Sequence, residues 1–359
     1  MHPLAIATGA FLMLIVLWDA FETVVLPRRA SFQLRLTRLF YRTTWPPFAA
    51  VGRRIRPGNS RENFLSVFGP LSLIVLLAAW ALVLILGFAL LQWGLGSHLS
   101  SPPGLSGFGA DLYGSGTNFF TLGLGDVTPS TTTARVLTTA EAGMGFGFLA
   151  LVISYLPILA QAFSRREASI ALLDARAGSP PTAAELLRRH APDGGAEPLA
   201  ALLNDWERWS AEVLESHISF PVLAYYRSQH DNQSWVAALT TVLDTCALVI
   251  TGVDRACVRP ARLTFAMARH ALADLTSVLG QRPRVPSLDR LPAGELGRLR
   301  RALADIGMPL REGAEAEERL AHLRGLYEPY ACALSEHLVM RLPPWVPPEG
   351  AKDNWETTA

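Results

Sequence analysis

The run Thr121-Leu122-Gly123-Leu124-Gly125-Asp126, followed by Val127-Thr128-Pro129, carries the most chemical information in this chain. Stripping water from a potassium ion takes rings of oxygens, which backbone carbonyls from four identical loops around one axis can supply. Glycines at alternate positions, Gly123 and Gly125, accept the left-handed dihedrals that turn successive carbonyls toward one line. Thr121 adds a side-chain oxygen at the inner end. Six such residues also occur by chance and in turns. Their position between two long apolar segments makes them a candidate ion-selective loop.

Three segments have the roughly 20 apolar residues that a spanning helix needs. They run from about Leu4 to Leu26, from about Val67 to Trp93 and from about Val136 to Phe163. The second contains the charge-free string LSLIVLLAAWALVLILGFALL. The first could be mistaken for a signal peptide. It has no basic residue ahead of its apolar run and no small-x-small cleavage site, and Asp19 and Glu22 follow, so it reads as a retained helix. Composition agrees with a membrane protein: charged residues are 18% of the chain, against about 25% in soluble proteins.

Arginine placement orients these segments. Nine Arg (28, 29, 35, 38, 42, 53, 54, 56 and 61) and no acid lie between Pro27 and Arg61. No Lys or Arg lies between Gly94 and Ala134, and Arg165 and Arg166 follow the third segment. The Arg-rich linker and the C-terminal half are therefore expected on the cytoplasmic side, with the TLGLGD loop and the N-terminus outside. An alternative lays the first segment in the interface, where Asp19 and Glu22 are better tolerated than deep in lipid. The linker is expected to rest on anionic headgroups as a partly amphipathic helix, with Leu34, Leu36, Leu39, Phe40 and Trp45 dipping inward. A bilayer neighbour explains its arginines more simply than nucleic acid does.

An apolar helix, a re-entrant loop with T-x-G-x-G-D and a second apolar helix together resemble the pore module of potassium channels. Leu124 stands where the TVGYG filter has Tyr, so the string is closer to the Ile-Gly-Leu-Gly-Asp filter of some two-pore-domain channels. The resemblance covers roughly Val67 to Phe163, about a quarter of the chain. It implies that Thr121, Leu122, Gly123 and Leu124 coordinate K+ and that Gly125 allows the outer turn. Asp126 would sit in a four-carboxylate ring at the outer mouth, bonded back to the pore helix near Thr117. It places the pore helix at Ala110 to Phe120, supported by Tyr113, Ser115 and Thr117. A helix ending at the membrane centre turns its negative end toward the permeant cation. The chain departs from the pattern at Gly114 and Gly116, each costing about 1 kcal/mol of helix propensity. Further departures are Asn118 and Phe120 in place of Thr, and Leu124 in place of Tyr.

In the third segment, Gly143, Gly145, Gly147 and Pro157 are candidates for a gating hinge, Gly145 falling where the resemblance puts one. Close helix packing through small residues is the competing role. Glu141, ionisable inside a membrane helix, calls for a functional or paired setting, and lies too near the outer end to be the main cavity charge.

Residues 165–359 read as a helical domain. Thr182-x-x-Glu185 is a capping-box start after Pro180-Pro181. Leu199, Leu202, Leu203, Trp206, Val213 and Leu214 recur at helical spacing, as do Trp235, Leu239, Val242, Cys246, Val249 and Val253. Asp244 at the centre of the second set favours a buried core helix over a fourth span. Further helices are expected over about Leu263–Leu279, Glu295–Ile306 and Glu315–Met340, with Pro-rich breaks at 283–292 and 343–348. His217, Tyr225, Tyr226, Arg227, His230, Asp231 and Asn232, up to Trp235, form either a ligand pocket or a polar turn and subunit contact; the turn is the simpler expectation. Cys246, Cys257 and Cys332 have no CxxC spacing and read as reduced thiols. No nucleophile–base pair or metal-ligand set appears, so no enzyme activity is expected.

The expected fold is an all-α membrane protein divided into an N-terminal transmembrane or interfacial helix (1–27), an Arg-rich linker (28–64), a potassium-channel-like pore module (65–164) and a helical cytoplasmic domain (165–359). The resemblance implies a homotetramer in a prokaryotic plasma (inner) membrane, passing K+ passively, with no other cofactor and no nucleic-acid partner. The alternatives are a weakly selective cation channel and a non-conducting membrane-anchored sensory or scaffold protein. No Arg-rich voltage-sensing helix is present.

Overall fold

The computed structural model describes residues 2–25, 36–190, 196–229, 232–253, 257–286 and 288–350. The chain divides into two compact units. One comprises Met1–Pro47 and Phe68–Ala160; the other comprises Phe48–Val67 and Gln161–Ala359. Arg28, Arg29, Leu34 and Arg35 of the expected linker, and His230 and Asp231 of the polar cluster, lie outside the described residues.

The first unit is built on helices α1 (Pro3–Ala20), α4 (Phe68–Leu95), α5 (Phe108–Phe119) and the N-terminal part of α6 (Thr132–Ala177), with the start of α2 (Leu36–Arg54). Among the described residues, three helical stretches are long and apolar enough to cross a membrane: Pro3–Thr23, Asn59–Leu95 and Thr132–Ala177. They coincide with the three expected segments. α6 continues through Pro157 and on to Ala177, well past Phe163, where its apolar character ends. The reason is visible in the sequence: after Phe163, residues Arg166, Ile170, Leu173 and Ala177 form a buried stripe at helical spacing.

α1 lies antiparallel along α4. His2 N–H donates to Gly94 O (2.7 Å) and its ring stacks on Trp93 (4.5 Å) at one end. In the middle, a methyl added to Gly9 would come 2.6 Å from Gly87 O, so the two backbones touch through glycines. At the other end Trp80 Nε1 donates to Asp19 (3.1 Å). Asp19 also accepts from Thr37 N–H (3.1 Å) and Thr37 Oγ1 (2.7 Å), stabilising the start of α2. Asp19 and Glu22 are buried against protein. Trp45, expected to dip toward the headgroups, is instead buried in the protein and meets Phe68 edge-on at 4.8 Å, whereas Leu39 of the same helix is exposed.

Strands β1 (Leu99–Ser100) and β2 (Thr128–Pro129) pair antiparallel and tie the two ends of the α5 loop together, helped by Ser130 N–H to His98 O (3.0 Å).

The second unit contains α3 (Asn59–Ser66), α7 (Ala183–Arg189), α8 (Ala196–Ser219), a 3-10 turn (Pro221–Tyr225), α9 (Trp235–Thr251), α10 (Val258–Val278), α11 (Ala293–Asp305), α12 (Ala314–Gly325) and α13 (Glu328–Leu338). α9 is buried on every face, the core helix that Asp244 implied. Its start is capped by Ser234 Oγ, which accepts from Ala237 N–H (3.0 Å). Thr182 caps α7 through Glu185 N–H (3.2 Å), but the Glu185 carboxylate goes to Arg188 and Arg189, so only half of the capping box forms. The expected single helix over Glu315–Met340 is two. Gly325 ends α12, and Pro329, which has no N–H, stands in the first turn of α13.

Candidate ion pathway

The geometry starts at the end of α5. Thr121 N–H donates to Asn118 O (3.0 Å) and Leu122 N–H to Thr117 O (2.8 Å). This pair of bonds is the Schellman termination of a helix, which requires a left-handed residue at the first position past the cap. That residue is Thr121, with φ of 56°. Glycine is the usual occupant; a β-branched side chain there costs on the order of 1–2 kcal/mol. Gly123 (59°) and Gly125 (77°) are left-handed too, while Leu122 and Leu124 are not. Three alternate residues therefore reverse their backbone sense in turn, Thr121 joining the two glycines that the sequence singled out.

Asp126 accepts from Tyr113 OH at 2.8 Å and from its neighbour Val127 N–H at 3.1 Å. The expected partner near Thr117 is thus corrected: Thr117 Oγ1 turns back to Gly114 O on its own helix (2.9 Å). Gly114, a departure on propensity grounds, has a packing reason. A methyl there would lie 3.0 Å from Val127 Cγ1 and 3.4 Å from Leu99 Cδ1, so the chain returning from Asp126 fits against its bare backbone. Gly116 has open space around it.

Ser115 joins three helices. Its Oγ is 2.8 Å from Ile85 O of α4 and in hydrogen-bond contact with Glu141 Oε1 of α6. Both side chains are buried. Gly145 sits one turn further along α6, where an added methyl would fall 1.8 Å from Phe119 O. Backbone meets backbone there, which gives Gly145 the packing role. Gly143 and Gly147 have nothing within 4 Å, and α6 is continuous through Pro157.

Sequence reasoning did not find two further polar contacts. Ser97 Oγ donates to buried Asp111 (2.5 Å), and Gln92, the one amide in the charge-free α4, reaches Ala134 O and Thr138 Oγ1 (both 3.5 Å). A lone Gln in a charge-free run was the available signal for the second.

In the second unit, His217 and Arg227 of the expected polar cluster are spent on internal fastening. His217 Nδ1 donates to Val213 O (2.8 Å), which leaves Nε2 to accept from Arg166 Nη1 (3.1 Å). Arg166 also donates to Leu223 O and Tyr226 O (both 2.9 Å). Burial, and then the Arg166 charge, hold the His217 imidazole well below its ordinary pKa. Arg227 binds Glu62 (2.8 Å) and the carbonyls of Leu338 and Val339.

A family model described as an ion channel matches residues 72–162. The match begins in α4, ends in α6, and encloses α5 and the whole Thr121–Asp126 loop. No curated protein and no solved structure matches the chain. The match and the spanning-length helices support an all-α membrane protein with an ion-channel pore segment, a transport protein in kind.

Proposed function

We propose that this chain assembles as a homotetramer whose TLGLGD loops form a potassium-permeable filter in the plasma membrane. The observation that supports this best is the alternation of left-handed residues at 121, 123 and 125, starting directly at the end of α5 inside the ion-channel match. Alternating handedness keeps successive carbonyls on one side of a strand, and a left-handed threonine is strain that an ordinary helix exit avoids with glycine. Thr121, Leu122, Gly123 and Leu124 would coordinate the ion, Gly125 would shape the outer turn, and Asp126, held by Tyr113, would face the outer mouth. Four chains are needed because one loop supplies a quarter of each oxygen ring. Residues 165–359 would then be cytoplasmic. Exposed Arg38 and Arg42 flank exposed Leu39 on α2, which suits contact with anionic headgroups.

Purified protein in liposomes should pass K+ and have the mass of four chains by light scattering. Gly123→Ala should abolish the flux with the helices intact, because a methyl is disfavoured at that φ. Undiminished flux from Gly123→Ala would refute the assigned filter.

A weakly selective cation channel is the second reading. It is favoured by Leu124, which is 62% exposed and has no hydroxyl to brace the loop against α5. Bi-ionic reversal potentials separate the two: a value at zero for potassium against sodium supports the second.

A further inference from the structure

Glu141 is fully buried, and among the described residues no cation pairs with it. Its Oε2 has no partner of good hydrogen-bond geometry, and the Asn118 side chain is the other polar group that reaches the carboxyl. A charged carboxylate in that setting would carry a large desolvation cost that two neutral neighbours, with no cation, offset only in part. The proton count at Ser115 leads to the same place independently. Ser115 Oγ makes two close oxygen contacts, to Ile85 O at 2.8 Å and to Glu141 Oε1. A hydroxyl carries one proton, and a backbone carbonyl carries none to give. Two oxygens 2.8 Å apart repel unless a proton lies between them, so the serine proton belongs to Ile85 O. The contact with Glu141 then needs a proton from Glu141.

We infer that Glu141 is a neutral carboxylic acid that donates its proton to Ser115 Oγ and so clamps α5 between α4 and α6. Oε1 carries the O–H, and Oε2 is a neutral carbonyl oxygen, which tolerates a missing partner far better than a carboxylate oxygen. The clamp lies two residues before Thr117, whose carbonyl accepts the amide of Leu122 and thereby fixes the Schellman turn into the loop. Glu141 is on this account a positioning residue. Its consequence for permeation rests on the filter reading; its protonation state does not.

Infrared spectroscopy of the full chain in lipid at neutral pH tests the protonation. The wild type should show the carbonyl stretch of a protonated carboxyl that Glu141→Gln lacks. An unchanged carboxylic band in Glu141→Gln, with loss in the carboxylate region instead, would overturn the inference. The clamp is tested by donor rescue in bi-ionic recordings. Glu141→Gln keeps an N–H donor and should retain the wild-type potassium-to-sodium permeability ratio. Glu141→Ala and Ser115→Ala should each lower it by about threefold to tenfold, the weight of one net hydrogen bond. Equal ratios in Glu141→Gln and Glu141→Ala would remove the positioning role. If Glu141→Ala fails to assemble, Ser115→Ala carries the same test. A chain that passes no ions sinks the filter reading and leaves the infrared result to decide the protonation.

Discussion

Two buried carboxyls, one in each unit, show how differently the same chemistry is accommodated. Asp244, at the centre of α9, meets Arg290 through two bonds (3.1 and 2.6 Å) and accepts a further one from Tyr327 OH. Arg290 in turn reaches Glu328 Oε1 (3.1 Å) and Pro343 O (2.8 Å) and lies over the Trp345 ring at 5.6 Å. Glu141 has Ser115 and, among the described residues, no cation. The C-terminal unit answers burial of Asp244 with opposite charge; the N-terminal unit answers burial of Glu141 with neutral hydrogen-bond partners and brings backbones together at glycines. As a general matter, a matched ion pair is tolerable inside a core that water surrounds and costly within lipid.

The contrast breaks most visibly if Arg290 is removed. Arg290→Met leaves Asp244 buried and unpaired, which costs about 3–5 kcal/mol. Hydrogen exchange of the α9 amides should accelerate roughly a hundredfold or more, each 1.4 kcal/mol being about tenfold. The double variant Asp244→Asn with Arg290→Met should recover much of the protection, since no lone charge remains. Loss of protection in the double variant equal to that in the single one would mean that shape, not charge, holds this site.

The matching experiment in the first unit is Gly145→Ala. The new methyl meets the Phe119 carbonyl, backbone that cannot swing aside, so α6 must shift at a cost of about 1–3 kcal/mol. Flux should fall strongly, while Gly143→Ala and Gly147→Ala, which have open space, should stay near wild type. Equal effects at all three positions would restore the hinge reading for this glycine cluster.

A third expectation concerns acid. His217 is held well below its ordinary pKa by burial and then by Arg166; His337 is pushed down to about 4 by burial and then by Arg53 and Arg284. A histidine with a depressed folded-state pKa stays neutral in the folded protein while the unfolded chain takes up its proton. The stability is therefore intact above the unfolded value of about 6.5 and is lost as pH falls from there toward about 4, by up to about 1.4 kcal/mol per pH unit for each histidine. Hydrogen exchange across pH 7 to 5 should show α8 and α13 losing protection, and His337→Gln should flatten the α13 response. Protection that rises on acidification would contradict these assignments.

Legibility in the sequence followed the same divide. Apolar run lengths foretold the three long helices, and Asp244 in an otherwise apolar segment correctly pointed to a core helix. Ranges failed where termination is a local matter. α6 outran its apolar segment because a buried stripe at 166, 170, 173 and 177 continues the helix without a long run of apolar residues. The break between α12 and α13 was written in Gly325 and Pro329 but masked by helical spacing on both sides. In the loop, Gly123 and Gly125 announced their left-handed backbone, whereas Thr121 could not, since nothing in a threonine foretells a Schellman cap. The three-way contact of Ser115, Ile85 and Glu141 joins residues about 30 and 26 apart, pairings that no local pattern encodes.

The smallest expected effect is at the loop's outer end, where charge in the first unit meets water. Asp126 is exposed and bonded by Tyr113 OH, itself more than a third exposed, so the bond is screened by solvent and its removal should not unfold anything. Tyr113→Phe keeps the ring and deletes only the hydroxyl. Tetramer mass and flux should persist, with a modest shift of the bi-ionic reversal potential toward zero as Asp126 gains freedom at the mouth. Thr117→Val, at the position first expected to hold Asp126, should leave that potential unchanged, because the Thr117 hydroxyl is satisfied by Gly114 O within α5. The opposite ranking, a shift with Thr117→Val and none with Tyr113→Phe, would return Asp126 to the deeper partner that the sequence first proposed.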